Sequence, residues 1–381
     1  RSALTGTTPF AGLGVNAISG QLETTLAVID FGPGYRERNR LVLSYFSGID
    51  HNGRWGRGVT ANWDWWVSEQ QDGDVHVFMF GGKYVVSEAG GSYTSPAGFP
   101  YEITKDAQAD EITVTAIRGG KEWVFDATDG WLLAFADRFG NTTEIDRDQD
   151  GVIETVTLPE GLEVTFTTGA LGRYSLIEDW SETAREWSFT YNVCDELARF
   201  QDAEGSTWQL FYLNGSDDDD LNANLVRIKL PSGSDLVRIE YDEDDRVSKQ
   251  TSCGNSATFD YSSTKTEIED FAGNEFEWNY SAGAVVPNSL VQYSNRDVRA
   301  TDPASWTTTF AHNTNLLRTK VVLPEGNRID FDWNGDYCLT EKRFKTTDTD
   351  TDNDTNDLVW EYTYGSTYHQ LEDSTDPEGN T

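Results

Sequence analysis

The chain repeats one short phrase along most of its length, and this repetition restricts it to an architecture of stacked units. The phrase runs from an Asp or a Leu-Pro pair, through Gly, to alternating aromatic and polar residues. One copy is Leu158-Pro159-Glu160-Gly161 before Val164-Thr165-Phe166. The other copies centre on Gly140, Gly205, Gly233, Gly273, Gly326 and Gly379. A period this short indicates many small units instead of one ordinary core.

The spacing of the glycines supports a unit of about 21 residues. Gly140 and Gly161 are 21 residues apart, and Gly161 and Gly205 are 44 apart, which is two steps of 22. The copy between them has degenerated to Asp179-Trp180-Ser181-Glu182, without a glycine. Two longer intervals of 53 residues follow Gly273 and Gly326, so we expect inserted loops there.

Each unit has the sequence pattern of a β-hairpin. Gly after an acidic residue supplies the positive φ that a tight turn requires. The alternation that follows has a period of 2, which gives a strand one apolar and one wet face. No stretch shows sustained helical periodicity. The sequence therefore predicts an all-β protein in which tandem antiparallel hairpins add strands to one long sheet.

The charge excludes several classes of partner. The chain has 29 basic and 65 acidic residues, for a net charge of −36. Nucleic acid is excluded as a partner, because phosphate binding needs a basic surface. Anionic membranes are disfavoured for the same reason, and no run of residues is apolar enough to be a transmembrane segment. The simplest interpretation of the charge is a solvated acidic coat, and dense carboxylates also suit divalent cations.

The opening of the chain differs from the repeats and divides it into two regions. We expect residues 1–118 to form an N-terminal β cap that closes the first sheet edge, and residues 119–381 to form the repeats, with acidic loops inserted near 215–221 and 346–357. Four tryptophans in the cap suit core packing, and the alternative is a platform for sugar stacking: Trp55, Trp63, Trp65 and Trp66. Because the chain ends inside a repeat, we expect it to be a piece of a longer protein.

One turn resembles half of a calcium loop. Asp146, Asp148 and Asp150 alternate before Gly151, as carboxylates do around a hard cation, but Thr157 stands where a bidentate Glu would complete the site. The alternative is an acidic hairpin turn. Two other acidic runs are weaker candidates for metal binding, Asp217–Asp220 and Asp348–Asp357. Both suit solvated loops.

No catalytic phrase is evident, so we expect the chain not to be an enzyme. The four histidines are far apart, and no nucleophile elbow, phosphate loop or dinucleotide fingerprint occurs. The three cysteines form no CxxC or Cys/His cluster, so a zinc site is not indicated. The best enzyme alternative is glycan hydrolysis by a carboxylate pair near Trp63–Trp66.

Taken together, these residues resemble the Rhs/YD-repeat family. The opening from Val15-Asn16 through Gly56-Arg57-Gly58 is similar to the start of an Rhs core. Gly130-Trp131-Leu132 before Asp137-Arg138-Phe139-Gly140-Asn141 is the closest match to a repeat, and the stretch that begins at Tyr241-Asp242 is similar to the tyrosine-aspartate phrase that names the family. Several units depart from the pattern, and four other residues stand where a Tyr-Asp pair is expected: Phe166, Phe211, Tyr261 and Phe331.

The resemblance implies a fold and a role. The fold is a strip of hairpins wound as a spiral sheet into a hollow shell. The role is that of a non-enzymatic extracellular or cell-surface protein, bacterial in origin, that encapsulates or displays its own C-terminal passenger or toxin. The alternative is an adhesin or a self-assembling surface filament subunit that binds a partner surface protein or glycans. Calcium is the one cofactor that we weigh.

Overall fold

The structure, a computed structural model, is built entirely from strands and turns in the residues that it describes. These are residues 10–11, 14–31, 40–48, 51–79, 82–169, 171–181, 183–214, 223–293, 303–335, 337–344, 357–366 and 370–381. The inserted acidic loops lie outside the described residues, apart from Asp357 in the second one. No helix that could cross a membrane occurs in the described part of the chain.

The first eleven strands form small separate sheets. The strands β3, β4 and β7 form one antiparallel sheet, β8 to β11 form another in chain order, and β1–β2 and β5–β6 are short hairpins. Their bounds are β1 Phe10–Ala11, β2 Val15–Asn16, β3 Glu23–Asp30, β4 Arg40–Phe46, β5 Asn52–Gly53, β6 Gly56–Arg57, β7 Val59–Ala61, β8 Trp66–Glu69, β9 Val75–Met79, β10 Gly82–Ala89 and β11 Ser92–Thr94. We call residues 14–99 the N-terminal segment.

The remaining strands form one antiparallel sheet of 24 strands in unbroken chain order. Their bounds are β12 Tyr101–Asp106, β13 Glu111–Ala116, β14 Glu122–Asp126, β15 Leu132–Ala136, β16 Thr142–Arg147, β17 Ile153–Thr157, β18 Glu163–Thr168, β19 Tyr174–Glu178, β20 Glu186–Tyr191, β21 Leu197–Gln201, β22 Thr207–Tyr212, β23 Leu225–Lys229, β24 Asp235–Tyr241, β25 Val247–Ser252, β26 Asn255–Tyr261, β27 Lys265–Glu269, β28 Glu275–Asn279, β29 Ser289–Tyr293, β30 Ser305–His312, β31 Arg318–Val322, β32 Arg328–Asn334, β33 Tyr337–Phe344, β34 Leu358–Tyr364 and β35 Leu371–Thr375. The predicted all-β hairpin array is confirmed.

The turns of this long sheet fall on two opposite rims. We call the turns that follow even-numbered strands the even rim, and those that follow odd-numbered strands the odd rim. The repeat glycines lie on the odd rim, where Gly161 and Gly233 have φ of +74° and +85° and open space around them. On the even rim the equivalent left-handed position is often filled by another residue, such as Asp195 or Asp245.

The N-terminal segment packs on the apolar face of the first half of the sheet. The Phe31 and Trp187 rings are 5.1 Å apart, and those of Trp55 and Phe189 are 5.3 Å apart. The opposite face of the sheet carries exposed polar residues, because the burial pattern alternates along strands such as β18. The aromatic residues of the repeats thus form one continuous core with the segment.

The two ends of the long sheet lie side by side. The Arg138 side chain, on the odd rim after β15, donates to Gln370 Oε1 beside β35. The Arg118 guanidinium lies 5.9 Å from the centre of the Tyr364 ring. The strip therefore returns to its own start after about 20 strands, which at ~4.8 Å per strand is a circuit of roughly 95 Å. This return is what the spiral arrangement requires.

Candidate functional site

The even rim is covered by the N-terminal segment over seven successive turns, from the one after β14 to the one after β26. The N-terminal segment runs antiparallel to the order of the turns, so that residues late in the segment contact turns early in the sheet. Backbone bonds join Val67 N to Gly130 O at 2.8 Å and Val247 N to Gly20 O at 2.8 Å. At the far end, the Thr266 hydroxyl donates to Ala17 O. We expected the cap at the first sheet edge, but the structure places the segment along this rim.

Three arginines fasten the segment to the even rim. Arg147, with 4% of its side chain exposed, donates to Asp64 Oδ1 at 2.9 Å and to Trp63 O at 3.0 Å. Arg54 reaches Asp150 O at 2.9 Å, and Arg173 reaches the Asn52 side chain at 2.6 Å. Guanidinium groups suit this position because each can donate to several carbonyl oxygens in a plane. Sequence reasoning missed these residues, since single arginines carry no recognisable pattern.

A tyrosine ladder links the turns of the even rim to one another. Each ladder tyrosine ends an even-numbered strand, and its hydroxyl donates to the backbone oxygen of the residue that begins the preceding strand. The Tyr241 hydroxyl binds Leu225 O at 3.0 Å, and the Tyr212 hydroxyl binds Leu197 O at 2.9 Å. Tyr191 and Tyr261 repeat the contact, and Trp333 makes it through its indole N–H. The tyrosine of the repeat phrase thus has a structural role.

Burial of the tyrosine ladder predicts unfolding at alkaline pH. Burial raises the pKa of both Tyr212 and Tyr241 well above the ordinary value of 10.0. An acid whose pKa is raised on folding contributes stability in full below the pKa of the unfolded chain, and that stability falls as the pH rises above it. We expect urea unfolding measured between pH 8 and 11.5 to show a steep loss beginning near pH 10. The loss should be shallower in Tyr241→Phe, and constant stability up to pH 11.5 would contradict the prediction.

The aspartate of the repeat phrase caps its own turn. In each case one side-chain oxygen accepts the backbone N–H groups two and four residues later, as Asp270 does from Ala272 and Asn274, both at 2.8 Å. The same pair of bonds is made by Asp137, Asp148, Asn192, Asp202, Asp242, Asn313 and Asp376. Local bonds of this kind favour turns over continued strand.

The degenerate copy keeps its turn with a more heavily bonded carboxylate. Asp179 accepts from Ser181 N, Ser181 Oγ, Arg185 N and Arg185 Nε, at 2.5 to 3.2 Å. Burial raises the pKa of Asp179, but these hydrogen bonds outweigh it and lower the pKa to about 2. The bonds hold the turn where the sequence offers no glycine.

The calcium candidate lies in one of these capped turns. Asp148 Oδ1 accepts from Asp150 N and Val152 N, both at 2.9 Å, while Asp146 is exposed on β16 and Asp150 is exposed in the turn. Across the described ranges, no three His, Cys, Asp or Glu side chains are grouped so as to hold a metal ion. Calcium binding here stays a prediction, and the hydrogen bonds account for the acidic residue at position 148.

Two substitutions of Asp148 separate capping from calcium binding. Asp148→Asn keeps an acceptor oxygen, so we expect its stability to stay within about 0.5 kcal/mol of the unchanged chain. Asp148→Ala should lose about 1–2 kcal/mol, as helix-cap removals do. Urea unfolding with calcium and with a chelator measures both, with Asp202→Ala as a matched control at another capped turn. A calcium-dependent stability that Asp148→Asn abolishes would contradict capping as the main role.

The four predicted tryptophans lie together but differ in exposure. Trp55 and Trp63 are fully buried, and their indole N–H groups have no hydrogen-bond partner among the described residues. Trp65 is 9% exposed, and Trp66 is partly exposed between the rings of His51, at 4.5 Å, and Phe78, at 4.6 Å. Burial supports a packing role for the first two. Sugar contact stays a prediction, and it concerns the faces of Trp65 and Trp66 that solvent reaches.

Trp66 lines two cavities, one within the N-terminal segment and one where the segment meets the even rim. One, of about 360 Å³, is lined by Phe78, Met79 and Lys83, and the other, of about 500 Å³, by Arg54, Trp131 and Arg173. Burial lowers the pKa of His51, which borders both cavities, and this favours a neutral imidazole in the ring stack. Three arginines line the larger cavity: Arg54, Arg147 and Arg173. They donate to backbone or side-chain oxygens and so belong to the contact between the N-terminal segment and the even rim.

Comparison with known proteins gives no family. No family model matches the chain, and no curated protein matches it. Similar solved structures include TcdB2-TccC3-TEV, with TM-score 0.43, 9% identity, and coverage of 94% of this chain and 22% of that one. TcdB2-TccC3-Cdc42 has TM-score 0.35, 12% identity, and coverage of 88% and 20%. A porin-like protein from Bacteroides uniformis has TM-score 0.19, 13% identity, and coverage of 65% and 95%. The chain spans about a fifth of each TcdB2-TccC3 chain. These TM-scores are below 0.5, so no conclusion about this chain rests on them.

Proposed function

We propose that this chain forms part of a non-enzymatic β-spiral shell of the Rhs/YD-repeat kind, which encloses a polypeptide passenger. The observation that carries the proposal is the return of the strip to its own start, where Arg138 meets Gln370. A strip that closes one circuit and begins another builds a wall around an interior. An extracellular or cell-surface location is part of the proposal and agrees with the acidic, solvated surface.

The late strands of the strip offer an inner surface for a passenger. From β28 onward the apolar face of the sheet is only partly buried, at residues such as Trp278, Phe310 and Phe331. The Trp278 and Phe310 rings are stacked 6.2 Å apart, and the Arg318 guanidinium lies 4.4 Å from the centre of the Phe310 ring. Apolar rings with cationic groups over them can hold an unfolded chain through many weak contacts.

The test is electron microscopy of the intact natural protein, with mass spectrometry and limited proteolysis. We expect a closed particle with density inside it and a passenger that resists protease. A protease site inserted in the exposed turn at Cys253-Gly254 is the control, because the odd rim faces solvent there and should be cut. An extended polymer or an empty open array would overturn the proposal and favour the adhesin or filament alternative.

A further inference from the structure

The first strand of the long sheet has one edge without a strand partner among the described residues. The strand β12 pairs only with β13, and the sheet that ends at β11 lies beside it without joining it. Antiparallel pairing alternates the direction of the backbone groups along a strand. The bonds from Ile117 N to Pro100 O, at 3.2 Å, and from Ala127 N to Asp110 O, at 2.8 Å, fix this alternation.

This register leaves two residues with their backbone groups turned outward. Glu102 and Thr104 bond to β13 opposite Thr115 and Thr113. The N–H and C=O groups of Ile103 and Lys105 therefore point away from the sheet. Each of these two residues offers one N–H donor and one C=O acceptor. Residues that hydrogen-bond to the same antiparallel neighbour are two positions apart along a strand, as Ile103 and Lys105 are.

A groove runs along this edge. It has a volume of about 920 Å³ and is walled by the outward edge of β12, by β11 with the small residues that follow it, and by Asn315 from the turn after β30. Glu102, Thr104 and Lys105 are exposed in it. The Lys105 ammonium is drawn to Glu69 of β8, at 2.6 Å, so its side chain is fixed by an ion pair.

We propose that this groove binds an extended peptide of a partner protein, which adds to the β12 edge as a further antiparallel strand. Its alternating residues would be apolar and basic. The apolar ones would continue the core face beside Tyr101 and Ile103, which are 8% and 6% exposed. The basic ones would lie beside exposed Glu102 on the other face, and the net charge of −36 attracts them.

The test uses a short fluorescent peptide that alternates Val and Lys, titrated against the whole chain by fluorescence anisotropy. We expect saturable binding. Lys105→Pro removes the outward N–H of an edge strand, where proline is tolerated, and should weaken binding about tenfold, because a hydrogen bond and the close approach of the peptide are lost. Lys105→Ala, the matched control, loses the same ion pair but keeps the N–H and should bind within about twofold of the unchanged chain.

A second probe requires no variant of the protein. The same peptide with N-methyl groups on alternate residues cannot complete the ladder and should lose binding. A peptide alternating Val and Glu should also fail to bind, because of its charge. Absence of saturable binding to the unchanged chain, equal affinity of the Pro and Ala variants, or equal affinity of the N-methylated peptide would each overturn the proposal.

Discussion

Gly130→Ala is expected to detach the N-terminal segment from the even rim and to lower the free energy of unfolding by about 3–5 kcal/mol. Gly130 has φ of +80°, which costs an alanine about 1–2 kcal/mol. An added Cβ would also overlap the Val67 carbonyl oxygen, which belongs to backbone and cannot move aside as a flexible side chain would. The remaining cost comes from this overlap and from the strained bond between Val67 N and Gly130 O.

Gly161→Ala is the matched control for this prediction. Gly161 has nearly the same φ, +74°, but it lies on the odd rim with nothing near the added Cβ. We expect it to lose only about 1–2 kcal/mol. Urea unfolding followed by tryptophan fluorescence measures both variants. Equal losses would show that the segment contributes nothing at Gly130 beyond the turn itself.

Arg147→Met is expected to lower the free energy of unfolding by about 3 kcal/mol or more. The guanidinium is almost fully buried and joins Asp64 and Trp63 of the segment to Leu132 and Gly151 of the sheet. Removing one partner of a buried pair leaves the other charge without compensation, which is the costly case. Methionine fills a similar volume, so the loss should report the polar contacts and not a cavity.

Arg238→Met provides the comparison for Arg147. Arg238 is paired with Asp235 at 2.5 Å, but 61% of its side chain is exposed, and solvent screening makes such a pair worth less than about 1 kcal/mol. We expect its unfolding curve to stay close to that of the unchanged chain. If Arg147→Met lost no more stability than Arg238→Met, the hydrogen bonds of Arg147 would not hold the N-terminal segment to the even rim.

The recurring turns could be predicted from the sequence because their causes are local. A glycine such as Gly161 marks a left-handed turn position, and period-2 alternation after it marks a strand with one apolar face, whatever the rest of the chain does. The hydrogen bonds of the tyrosine ladder could not be predicted from local sequence patterns. Tyr241 reaches Leu225, which lies 16 residues earlier and on another strand, and only the register of the sheet brings the two together.

The sequence by itself determined the all-β class, the hairpin unit and the strand order, because these follow from turn chemistry and side-chain alternation within about 21 residues. Only the tertiary structure decided where the N-terminal segment lies, that Arg147 fastens it, and that the strip returns so that Arg138 meets Gln370. These features depend on the small twist and bend that each hairpin adds, summed over about 20 strands. No local sequence pattern encodes this accumulated twist and bend, which brings together residues that are 232 positions apart in the chain.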